Sequence, residues 1–212
     1  MLILEKIKNN KYLVLALVFA LLNMGAIFWF WGFREYDDSL GYIKVIHWFQ
    51  GEGVGVSPFR MLTPLGPLIA LPFEFLGEGA GLIVQNILFY FFTAFLIFRI
   101  IELVFHNKNL ASGENLDSSK IKEQAFLGVV LFSTALPILY FGLSYMTDMG
   151  AWFFYILSVF LTLLYLKHKD EKLIVINGLL SGAGVLLKPN GGLGILFFIM
   201  IILLSGEFNL RE

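Results

Sequence analysis

Long apolar runs separated by short polar intervals organise this chain. The first run, residues 12–33, follows Lys6, Lys8 and Lys11. Its roughly 22 apolar residues exceed the core of a signal peptide and no small-x-small cleavage site follows, so the pattern predicts a retained spanning helix with its N-terminus in the cytoplasm. Phe28, Trp29, Phe30, Trp31 and Phe33 fall where an aromatic belt meets the outer interface. Residues 39–50 then set Leu40, Ile43 and Ile46 at helical spacing beside Trp48 and Phe49. That spacing predicts a short amphipathic helix on the membrane surface, ended by Gly51, Gly53 and Gly55. Residues 58–77 are apolar but carry Pro64, Pro67 and Pro72. They predict a re-entrant or kinked interfacial helix, not a straight span.

Later runs at 82–105 and 124–145 are long enough to span, the second with a kink expected at Pro137, and 149–166 is just adequate. Runs 173–187 and 191–204 are each about 15 residues, short of the roughly 20 needed for a full span. Lys188, Pro189, Asn190, Gly191 and Gly192 join them, which predicts a turn set below the membrane surface in a protein-lined cavity. Residues 106–123 are polar and read as a flexible cytoplasmic loop. The expected fold class is an all-α polytopic membrane protein. It has about six spanning helices, with juxtamembrane or re-entrant helices in the first outer loop, and 1–212 form a single transmembrane domain.

Composition agrees. A chain that is 58% hydrophobic and only 15% charged, with a mean hydropathy of +0.80, has more apolar surface than one soluble core of 212 residues can bury. A formal charge of −1 lacks the clustered basic face that nucleic acid requires. The absence of cysteine excludes disulfides, thiolate metal sites and cysteine nucleophiles. Loop charge selects the topology. If 58–77 does not cross, Lys6, Lys8, Lys11, Arg99, Lys108, Lys120, Lys122, Lys167, Lys169, Lys172 and Arg211 are inside, against Arg34, Lys44, Arg60 and Lys188 outside. If it does cross, every later loop changes sides and most cations move outside, so the positive-inside rule favours six passes. Asp37, Asp38, Arg60, Asp148 and Lys188 then share the non-cytoplasmic face.

Acids beside fixed cations at a membrane surface suit a reaction on a lipid-phosphate substrate. The cation holds the phosphate, and a carboxylate activates a hydroxyl acceptor or holds a divalent metal. Arg matches phosphate through its fork, and Lys acts as a point charge. The outer loop 34–60 opens with Glu35, Asp37 and Asp38 and ends at Arg60. A first span, the Asp37-Asp38 pair, a juxtamembrane helix, the string Arg60-x-Leu62-x-Pro64-Leu65, Thr147-Asp148 opening a later helix and Lys188-Pro189 before another follow in order. This ordered pattern resembles the GT-C membrane glycosyltransferases, the group that includes protein O-mannosyltransferases and aminoarabinose transferases.

The resemblance implies inverting transfer of a sugar from a polyprenyl-phosphate donor on the outer face to an acceptor that the pattern does not name. It assigns Asp37 or Asp38 as first-loop catalytic acid, Asp148 as the acid of the second outer loop, and Lys188 or Arg60 as contacts to the donor phosphate. Asp38 and Asp148 are the residues for a divalent ion such as Mg or Mn if the reaction uses one. Members of the group usually continue into more spanning helices and a soluble domain, so a further C-terminal region or a membrane partner subunit is expected.

Plainer readings stand beside these. Asp38 and Asp148 suit helix caps, Lys188 suits snorkelling from a helix end, and Arg60 suits an interfacial anchor. His47 reads as interfacial, Gly178, Gly182 and Gly184 with Ser181 as a close-packing surface, and the GEGVG and GEGAG strings as turns. Other functional classes compatible with the pattern are a transporter or lipid-binding protein with Lys188 on the substrate path, and a non-catalytic subunit that keeps the fold.

Overall fold

The computed structural model describes residues 10–32, 37–112 and 117–204, with the side chains of Asp37, 107–112 and Leu139 outside that description. Every regular element among these residues is helical. Helix α1, Lys11–Trp31, is apolar on all sides and buries only Ala16, Ala20 and Ile27. Trp29 is 83% exposed. A helix hydrophobic all round with so little of it covered by protein is one whose outer face suits lipid.

Helix α2, Asp37–Phe49, does more than lie on a surface. Its inward face is Ser39, Tyr42, Ile43 and Ile46, and the last three pack on Ala70, Leu82 and Met146. Leu40, expected on the same face as Ile43 and Ile46, is exposed instead. The buried stripe passes through Ser39, and Leu40 stands roughly 100° around the helix from it.

The proline-rich interval is broken as its sequence predicts, into α3 (Pro58–Met61), α4 (Leu65–Ala70) and a 3-10 helix, Leu71–Leu76. Pro58 opens α3, Pro64 is the N-cap of α4 and Pro72 falls in the first turn of the 3-10 helix, where a missing N–H costs no helical bond. The Glu74 carboxylate then accepts from the Gly79 and Gly81 amides at 2.8 and 3.0 Å. An acid there satisfies otherwise unpaired donors and complements the positive end of the next helix. At Gly81 a Cβ would lie 2.1 Å from the Ala70 carbonyl oxygen, so glycine is what lets α4 rest on that helix.

Helix α5 runs Ala80–Ser112 and α6 runs Ser118–Thr134. The polar interval 106–123 is therefore mostly helix and not a flexible loop. Residues 106–112 contain neither Gly nor Pro to stop α5, and the Asp117 side chain accepts from Ser119 N–H at 2.9 Å to start α6. Pro137 acts earlier than a kink would. Helix α6 ends at Thr134, Ala135 is extended, and a π-helical turn, Ile138–Gly142, follows the proline. Leu136, directly before the proline, stays helical, and the break falls one residue further upstream at Ala135.

Helices α7 (Asp148–His168), α8 (Lys172–Leu187) and α9 (Leu193–Leu204) complete the chain, with a 3-10 turn, Pro189–Gly192, between the last two. Among the described residues three helical segments are long and apolar enough to cross a membrane: α1, the part of α5 from Ala80 to His106, and α7. Helices α8 and α9 are apolar but shorter, as their runs predict.

Buried polar groups tie the bundle together where apolar packing is not directional. Tyr90 Oη donates to the Ala20 carbonyl at 3.3 Å, and Asn23 Nδ2 donates to that of Ser133 at 2.8 Å, joining α1 to α5 and α6. Between α7 and α8, Asn177 Nδ2 reaches the Ser158 carbonyl and Thr162 Oγ1 at 3.4 and 3.3 Å. Small residues let these helices close up, as is usual for helices packed in lipid. Of the expected glycines only Gly184 serves, since a Cβ at Gly178 or Gly182 would meet nothing.

The packing sorts residues to two ends. Gly150, in the first turn of α7, abuts Phe89 of α5 and Leu187 at the end of α8. Thr147 presses on Gly66 of α4. At the opposite end, Arg99, His106, Ser118, Lys122, Lys167 and His168 surround one cavity between α5, α6 and α7.

Candidate functional site

Two ion pairs form at the end that carries Asp148. Lys188, at the C-cap of α8, donates from Nζ to Asp148 Oδ1 at 2.6 Å. The hairpin's own closure delivers the lysine. Lys188 N–H donates to the Gly184 carbonyl, Gly191 N–H donates to that of Lys188, and a Cβ at Gly191 would lie 2.4 Å from Gly184 O. Only glycine permits that approach. Asp148 is the first residue of α7, and the N-cap is Thr147. The capping role expected of Asp148 is absent, and its carboxylate faces Lys188.

The site around Asp148 has unspent polar capacity. Asp148 Oδ2, Thr147 Oγ1 and both amide atoms of Gln85 are buried without a hydrogen-bond partner. Gln85 Nε2 and Thr147 both border the same point above Gly66. Next to Gln85, Asn86 Nδ2 donates to the Ser144 and Met146 carbonyls at 2.7 and 2.6 Å and fixes the loop that leads to Asp148. Unsatisfied buried groups are costly, and several in one place mark a position that a polar partner would complete. Sequence reading missed Gln85 and Asn86, because a polar pair inside an apolar run has no motif. Their only signal was being uncharged polar residues one turn into a spanning helix.

The second pair joins Arg60 Nη2 to Asp38 Oδ1. Asp38 lies inside the first turn of α2, not at a cap, since the helix begins at Asp37. The side chain of Asp37, like residues 33–36, lies outside the described residues. The Arg60 guanidinium also stands over the Tyr42 ring, 4.6 Å from its centroid. An acid and an aromatic face together hold it in one place. Arg60 then borders a cavity of about 420 Å³ together with Gly41, Lys44 and Ser57. A Cβ at Gly41 would lie 2.9 Å from Arg60 Nε, so a larger residue there has to displace the arginine side chain. Lys44 is the third residue missed from sequence. It is placed beside Arg60 by the return of the glycine-rich loop, which spacing along the chain does not reveal.

The four expected residues therefore come together as two pairs. The cavity beside Arg60 is lined by neither Asp148 nor Lys188. A continuous apolar cluster links them, since Tyr42, under Arg60, packs with Met146, two residues before Asp148. Each carboxylate faces a cation that a metal ion would have to displace, and no group of three or more His, Asp or Glu suited to a metal occurs among the described residues.

The two glycine strings carry more than turns. Glu52 and Glu78, one from each, flank His47 at 2.9 and 3.7 Å. They clip the loop after α2 to the loop before α5.

No protein family, curated protein or solved structure matches this chain. Its class is therefore set by its own fold and chemistry: the described residues are all-helical, three of their helices are long and apolar enough to cross a membrane, and acids and bases pair at one end of the bundle.

Proposed function

We propose that the chain is a glycosyltransferase of GT-C type that moves a sugar from a polyprenyl-phosphate donor to a hydroxyl acceptor at the non-cytoplasmic membrane face. The observation that carries this reading is the cavity beside Arg60. Two cations, Arg60 and Lys44, line it, and Arg60 is paired with the carboxylate of Asp38. Phosphate needs cations, and hydroxyl activation needs a carboxylate.

In this scheme the donor phosphate rests against Arg60 and Lys44. The acceptor oxygen bonds to the anomeric carbon, and the bond from that carbon to the phosphate oxygen breaks. Polyprenyl phosphate leaves with the electron pair, and the hydroxyl proton passes to the Asp38 carboxylate. Developing charge on the phosphate oxygen is met by fixed cations, the largest usual source of such stabilisation. The Asp148–Lys188 pair lies outside the lining of that cavity, and in this scheme Asp148 Oδ2, Thr147 Oγ1 and Gln85 are the unpaired groups that meet the sugar hydroxyls.

Six passes complete the proposal. Besides the three long helices, α6 with its following π-turn and the shorter α8 and α9 cross in a locally thinned or tilted arrangement. The two ion pairs then face outward, and the lysine-rich end lies in the cytoplasm.

Purified protein in liposomes, given radiolabelled polyprenyl-phosphate hexoses, is expected to release polyprenyl phosphate and label an acceptor. Asp38→Asn is expected to abolish transfer while remaining folded and inserted. Unimpaired transfer by that variant contradicts the assigned role of Asp38.

A further inference from the structure

The two Gly-Glu-Gly strings have no part in the chemistry above. Gly51 and Gly53 flank Glu52, Gly77 and Gly79 flank Glu78, and all four glycines have positive φ, 83°, 67°, 139° and 70°. Side chains rarely tolerate such backbone, so each string turns sharply and carries its glutamate back toward the end of α2. His47 receives both. Its Nδ1 lies 2.9 Å from Glu52 Oε2 and its Nε2 lies 3.7 Å from Glu78 Oε1, so one imidazole faces a carboxylate on each edge.

Protonation decides how much of this arrangement is attractive. A neutral imidazole carries a single N–H, and the 2.9 Å contact places it on Nδ1, toward Glu52. The Nε2 lone pair then points at the Glu78 carboxylate and repels it. An imidazolium donates from both nitrogens and holds both acids. The other ionisable groups around this end of α2 act elsewhere. Glu74 accepts from the Gly79 and Gly81 amides, Arg60 pairs with Asp38, and Lys44 lines the cavity beside Arg60. Helix α4, on which Ile43 and Ile46 rest, reads LGPLIA and has no titratable side chain.

We infer that His47, Glu52 and Glu78 form a pH-dependent clasp, closed while the imidazole is protonated and open at its Glu78 side when it is not. Free histidine and glutamate titrate near about 6.5 and about 4.3, so the clasp is closed between those values and opens as the pH rises. Gly55, Val56 and Ser57, just beyond Glu52, form one wall of the cavity beside Arg60. Opening therefore unties that wall from the loop before α5. The inference concerns the same cavity as the proposed transfer but rests on the geometry of His47, and its readout is conformational.

The test is the distance between nitroxide labels on Val54→Cys/Leu76→Cys, one label in each loop, measured by electron paramagnetic resonance on the full chain in nanodiscs. The chain has no other cysteine. A narrow distribution is expected at about pH 5.5 and a longer, broader one at about pH 8. His47→Gln is expected to give the long distribution at both values. Glu78 is 71% exposed, so Glu78→Gln leaves the packing intact. Its amide donates to neutral Nε2 and accepts from the imidazolium, so this variant is expected to stay narrow at both values. His106→Gln/His168→Gln, which changes the other two histidines, is expected to keep the transition. The same distribution at both pH values, a transition that survives His47→Gln, or one that survives Glu78→Gln would overturn the inference.

Discussion

Lys188 Nζ lies 2.6 Å from Asp148 Oδ1, joining two residues 40 apart in sequence, with the side chains only 23% and 14% exposed. Removing one member of such a pair leaves the other buried without its counter-charge. Lys188→Met is therefore expected to destabilise the protein by about 3 kcal/mol, while Lys188→Met combined with Asp148→Leu recovers most of the loss. Thermal unfolding of the three proteins in one detergent reads the difference. A double variant no more stable than the single one contradicts the pairing.

The glycines of the α8–α9 hairpin divide by what surrounds them. Gly191→Ala would set a methyl 2.4 Å from the Gly184 carbonyl oxygen, so the backbone must part and Lys188 must move. A loss of roughly 1–3 kcal/mol is expected. At Gly178 and Gly182 nothing lies within 4 Å. Alanine at either is expected to leave stability unchanged or raise it by about 0.5 kcal/mol, since it restricts the unfolded chain. Unfolding midpoints of the three variants check the contrast, and equal losses at all three positions would refute it.

Residues whose role follows from local pattern were legible in the sequence. Length and hydropathy gave α1, α7 and the core of α5, and of the three prolines expected to break 58–77, Pro64 and Pro72 stand at element starts whereas Pro67 lies inside α4. Asp38, Arg60, Asp148 and Lys188 stood out because ionisable groups are rare beside apolar runs. Their partners were not legible. Tertiary contact pairs Asp38 with Arg60 and Asp148 with Lys188, and periodicity carries no information about which helix packs on which. The same limit hid Lys44, Gln85 and the clasp of His47 by Glu52 and Glu78. The interval 106–123 was misread because polarity was taken for disorder, although 106–112 lack Gly and Pro and Asp117 caps the start of α6.

The central claim is that both ion pairs lie on one side of a membrane and the cavity lined by Arg99 and Lys167 on the other. The chain has no cysteine, so single cysteines report without background. Ser57→Cys beside the Arg60 cavity, Asn190→Cys in the Lys188 turn and Glu123→Cys at the start of α6 all replace exposed residues. Intact cells treated with a membrane-impermeant thiol reagent are predicted to label positions 57 and 190, and to label 123 only after permeabilisation. Labelling of 57 and 190 from opposite sides would separate Asp38 from Asp148 and Lys188 and contradict the account.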